Sequence, residues 1–88
     1  MEPEEAFGAV LRSLRKHRGL SQEALALDAE VERNYISLIE LGKNSPSIRI
    51  LFKLCKALDV NPSSFLARVE AQIQESQKKK QQIRKTDR

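Results

Sequence analysis

Over roughly the first three quarters of the chain, apolar residues recur in steps of three and four, then thin out. Phe7, Val10, Leu11 and Leu14 stand at i, i+3, i+4 and i+7, which predicts a first helix over roughly Pro3 to Arg18. Pro3 suits its first turn, Glu4 and Glu5 its positive end, and Arg15, Lys16, His17 and Arg18 its negative end; Gly19 fits a left-handed cap. Ser21 is a good N-cap for a short second helix, Gln22 to Ala29, with Leu25, Ala26 and Ala29 as its inner face. Only Glu30 to Glu32 separate it from a third helix, Arg33 to Leu41, the tight spacing of a helix-turn-helix.

Gly42 then acts as a stop, Pro46 as a breaker and Ser47 as the next N-cap. Ile48, Leu51, Leu54, Cys55 and Leu58 form the stripe of a fourth helix, and Asn61 with Pro62 opens a fifth. Beyond Leu66 only Val69, Ile73 and an isolated Ile83 continue the seam, too few for a coiled coil. The fifth helix is therefore expected to run to about Gln74, dividing the chain into a folded unit, 1–74, and a fraying Gln- and Lys-rich tail, 75–88. The fold class is all-α: a compact five-helix domain with a C-terminal helical extension or frayed tail.

The third helix does not have an ordinary amphipathic pattern. Tyr35, Ile36 and Ile39 share one side, facing a core, while Arg33, Asn34, Ser37, Leu38 and Leu41 mix hydrogen-bonding groups with leucines on the other. Such a surface asks for a partner that is itself both polar and apolar.

Composition narrows the field. With 88 residues, 32% charged and 5% aromatic, the chain forms one small helical domain without room for a deep substrate cavity. Cys55 is alone, which rules out an internal disulfide and leaves zinc without a ligand set; no cofactor is expected. No run approaches the roughly 20 apolar residues of a membrane span, and the acidic "MEPEEAFGAV" is no signal peptide, so a cytoplasmic protein is expected. Enzyme chemistry lacks a phosphate loop, a nucleophile with its base, or a carboxylate pair. The formal charge is +4, but residues 1–66 hold nine Lys or Arg against nine Asp or Glu, and the excess lies in 67–88. A basic surface on the folded part must come from arrangement, not from net charge.

"GLSQEALA", "YISLIELGKNSPS" and "LFKLCKALDV" follow one another in an order and spacing that chance seldom reproduces. Over about residues 7–66 the chain resembles the Cro-like, XRE-type helix-turn-helix family of phage and bacterial repressors, whose small members include restriction-modification controller proteins. The resemblance implies a lambda-repressor-like fold and a sequence-specific double-stranded DNA-binding transcription regulator. The second helix would cross the DNA backbone and the third would enter the major groove.

Carried over residue by residue, the resemblance assigns base reading to Arg33, Asn34, Ser37 and Leu38. Arg can pair with guanine, Asn with adenine, Ser with either, and Leu with a thymine methyl. Phosphate contacts fall to Gln22, Tyr35, Lys43 and Asn44, and a structural ion pair to Arg15 and Glu40. Two positions depart from the family pattern: Glu30 stands where Gly is usual in the turn, and Glu32 where a hydroxyl N-cap is usual. A positive φ at Glu30 would cost on the order of 1 kcal/mol, and both acids would weaken attraction to phosphate.

Blander roles compete at several positions. Leu38 and Leu41 could be scattered surface leucines, and Tyr35 a rim residue of the core. His17 reads as a solvated helix-end histidine and Cys55 as inert packing. The "KKK" at 78–80 is either a solvated tail or a source of salt-sensitive phosphate contacts.

One reading helix covers only a few base pairs, so a homodimer on a palindromic operator is expected. Phe65, Leu66, Val69 and Ile73 would form its interface, joined by Ile50 and Phe52 unless Phe52 belongs to the core. With no effector domain in sight and no small-molecule switch, control would come from concentration, operator cooperativity, or a partner such as RNA polymerase. The alternative function is a protein-interaction module of the same fold, such as an antitoxin binding a partner protein.

Overall fold

A computed structural model describes the backbone of residues 1–86 and the side chains of residues 1–77. Five helices follow in order, α1 (Pro3–His17), α2 (Gln22–Ala29), α3 (Arg33–Glu40), α4 (Ile48–Leu58) and α5 (Pro62–Thr86), with no strand among the described residues. α1 packs against α3 and α5, and α2 packs against α3 and α4.

The helix starts follow the predicted chemistry. Ser21 Oγ accepts from the Ala24 amide at 3.0 Å and Ser47 Oγ from the Ile50 amide at 3.2 Å, each satisfying a donor that the helix leaves free. Glu32, in the N-cap position of α3, makes no such side-chain bond.

The first four helices end in the same motif. After each, one residue turns to positive φ: Gly19 (69°), Glu30 (56°), Gly42 (75°) and Asp59 (55°). Its amide and the next reach back to carbonyls of the last turn, as Gly42 does to Ile39 and Lys43 to Leu38 at 3.0 and 2.9 Å. The residue after the left-handed one is apolar in three cases, Leu20, Val31 and Val60, and each packs against the core. That anchor holds the turn where glycine is absent, at Glu30 and at Asp59.

Leu11, Leu25, Ile36, Ile39, Leu54, Cys55 and Phe65 fill the centre with almost no exposure. Phe65 lies against Phe7, ring centroids 4.6 Å apart and planes tilted by 44°, a favourable aromatic arrangement. This corrects the expected interface: Phe65 is 0% and Val69 7% exposed, so both serve the monomer's own core and offer little to a second chain. The core role considered for Phe52 is also not taken up, since that ring is 57% exposed.

α5 continues past the expected end near Gln74, as the helical one of the two tail alternatives. Residues 63–86 contain neither Gly nor Pro and are rich in Gln, Lys, Glu and Arg, so propagation from the packed first turns meets no strong breaker. The side chains of 78–80, to which phosphate contacts were assigned as an option, lie outside the described residues. Among the described residues no helix is long and apolar enough to cross a membrane, and no cluster of His, Cys, Asp and Glu could hold a metal ion.

Candidate nucleic-acid interface

Ile36 and Ile39 are fully buried and fix the inner side of α3. With those anchored, helical geometry turns Arg33, Asn34 and Leu38 to solvent on the opposite side, with Ser37 half-buried between them. Leu38 is 37% and Leu41 62% exposed, so neither leucine has gone into the core. Lys43 is exposed and Asn44 half-buried, just past the Gly42 turn. Tyr35 sits at the rim, partly buried against the core.

α1 determines how α3 is held. An added Cβ at Gly8 would run into the backbone carbonyls of Ile39 and Glu40. Beside this contact, Arg15 Nε donates to Glu40 Oε2 at 2.6 Å and Nη2 to Oε1 at 3.0 Å, the expected ion pair in two-pronged form. The two side chains are 10% and 4% exposed. Hydrogen bonding to Glu40 raises the Arg15 pKa above its ordinary value, against an opposing effect of burial, so the guanidinium stays charged. Arg15 Nη1 also donates to the Leu20 carbonyl at 2.7 Å, tying in the turn that leads to α2.

Gln22, the first residue of α2, is less free than the sequence implied. Its Nε2 donates to Glu40 Oε1 at 3.1 Å. A local pattern could not show this bond, because the partners lie 18 positions apart. The Arg18 guanidinium was similarly unforeseen as a link, donating to the Leu58 carbonyl at the end of α4 at 2.8 Å. A groove between α1 and the end of α3 brings Arg12, which the sequence reading did not single out, and Lys16, read there only as suiting the negative end of α1, beside Leu41.

The two-helix unit thus presents one exposed face with polar, cationic and apolar members. Glu23, Asp28, Glu30 and Glu32 are exposed along α2 and its turn, giving this edge a negative charge that would oppose a phosphate backbone.

A helix-turn-helix family model, HTH_3, matches residues 11–65. The chain belongs to the HTH_3 helix-turn-helix family. The control protein C.BamHI of Bacillus amyloliquefaciens is 39% identical to it over 61 residues, covering 68% of this chain and 75% of that protein. A solved structure of the restriction-modification controller protein C.AhdI from Aeromonas hydrophila superposes with a TM-score of 0.69 at 39% identity, over 70% of this chain and 94% of that one. The clp gene regulator ClgR from Corynebacterium glutamicum gives a TM-score of 0.83 at 28% identity, over 94% and 90%. The HTH_3 match spans α2, α3 and α4 and parts of α1 and α5, so it includes all of the exposed side of α3.

Proposed function

We propose that the protein is a sequence-specific double-stranded DNA-binding transcription regulator, of the type of the restriction-modification controllers it resembles, acting as a homodimer on a palindromic operator. The observation that carries this reading is the division of α3: Ile36 and Ile39 are wholly buried while Arg33, Asn34 and Leu38 face outward. Arg33 and Asn34 are suited to bidentate pairing with guanine and adenine, Ser37 to either, and Leu38 to a thymine methyl. Gln22, Tyr35, Lys43 and Asn44 would hold phosphates on either side.

Dimerisation follows from the small reach of one helix, since two-fold pairing sets two reading helices about 34 Å apart along the duplex. With Phe65 and Val69 in the core, the interface falls to the exposed Ile48, Phe52 and Leu66, at 72%, 57% and 46%, with partly buried Ile50 and Ile73 beside them.

Selection of bound duplexes from a random pool tests the proposal. Enrichment of a palindromic site, lost in Arg33→Ala and Asn34→Ala, is the expected outcome. Absence of enrichment at low salt defeats it and favours a protein-interaction module instead. Light scattering tests the dimer separately, and a monomer at high concentration would remove that part.

A further inference from the structure

Glu40 carries more than the ion pair needs. Arg15 already meets both carboxylate oxygens, and Gln22 adds a third hydrogen bond, to Oε1. An ionised carboxylate only accepts, so it selects one of the two faces that a carboxamide can present. Gln22 must turn its NH2 group towards Glu40.

That choice has a consequence for DNA. One hydrogen of Nε2 is given to Glu40, and the other remains a donor for a phosphate oxygen. A carboxamide left to rotate would spend part of its time offering its own oxygen, which a phosphate repels. The neighbouring backbone is arranged alike. Ser21 takes the Ala24 amide with its hydroxyl and the Leu25 amide with its carbonyl, which leaves the Gln22 and Glu23 amides at the open end of α2.

We infer that Glu40 is a positioning residue for DNA binding: by accepting from Gln22, it fixes the side chain that grips the DNA backbone relative to the helix that reads the bases. The inference rests on the reading of Gln22 as a phosphate contact. Glu40 is the last residue of α3 and Gln22 the first of α2, so a single carboxylate joins the backbone grip to the reading helix. Backbone contacts set register and base contacts set sequence; the Gln22–Glu40 bond links the two.

A double-mutant cycle in DNA affinity tests it, using a selected operator duplex and a random duplex. Gln22→Ala is compared in the native protein and in an Arg15→Met/Glu40→Leu background, whose apolar pair replaces the ion pair without leaving a buried charge. Circular dichroism checks that each variant is folded. In the native protein Gln22→Ala is expected to weaken both duplexes about fivefold, and in the apolar background by less than about twofold. A purely structural Glu40 would lower every affinity in parallel and leave the Gln22 ratio unchanged; an equal ratio in both backgrounds overturns the inference while preserving the phosphate contact. No loss in the native protein overturns the phosphate contact itself, and the inference with it. If the apolar pair does not fold, Glu40→Asp serves the same comparison, keeping the charge opposite Arg15 while drawing the carboxylate back from Gln22.

Discussion

Gly8 lies so close to the Glu40 carbonyl that a methyl group added to it would sit 2.8 Å from that oxygen, with the Ile39 carbonyl nearer still. Because both obstacles are backbone, no side chain can swing aside. Gly8→Ala is expected to destabilise by about 1–3 kcal/mol, despite the better helix propensity of alanine. Gly19→Ala, where nothing lies within 4 Å of the added carbon and only the positive φ is strained, should lose about 1 kcal/mol. Urea titrations of the two variants give the comparison.

Removing the carboxylate leaves Arg15 charged and buried. Glu40→Ala should therefore cost about 3–5 kcal/mol of stability, seen in thermal melts at least as clearly as in DNA affinity. An unchanged melting temperature would contradict the ion pair's structural role.

Core and surface aromatics should separate cleanly. Phe65→Ala removes a ring with no exposure and is expected to cost about 3–5 kcal/mol. Phe52→Lys and Leu66→Lys, at exposed positions, should leave the monomer's melting nearly unchanged, yet shift sedimentation from dimer to monomer and weaken operator binding.

Glu30 takes a left-handed conformation, φ 56°, that glycine adopts without penalty. Glu30→Gly should stabilise by about 0.5–1 kcal/mol and tighten binding to any duplex by removing an acid from the interface edge. Asp59→Gly relieves a similar strain, φ 55°, at the end of α4 rather than in the helix-turn-helix turn, and should stabilise without changing DNA affinity.

Burial pushes the Cys55 thiol above its ordinary pKa. As pH rises past about 8.5 the unfolded thiol ionises first while the folded one keeps its proton. The folded state then binds more protons, so stability falls with increasing pH in that range. Cys55→Ala should flatten this part of the stability profile.

Most of the helix limits could be read from local chemistry: Ser21 and Ser47 cap through their hydroxyls, and Gly19 and Gly42 turn at positive φ. Asp59 was not foreseen as left-handed because its conformation is fixed from a distance, by Val60 packing into the core. Phe65 and Val69 looked surplus only because a stripe on α5 does not show that α1 will cover it. At the candidate site the division of α3 was legible from its periodicity. The Gln22–Glu40 bond and the close approach at Gly8 were not, since each depends on how two distant helices meet.

The two sides of α3 have a further consequence. Tyr35, Ile36, Ile39 and Glu40 pack against the rest of the molecule, whereas Arg33, Asn34 and Leu38 face outward. Exposed substitutions of this kind usually change stability by less than about 0.5 kcal/mol. The outward residues can therefore be exchanged as a set on an unchanged scaffold; if they read bases as proposed, new operator preferences are reachable by a few codon changes without passing through an unfolded ancestor.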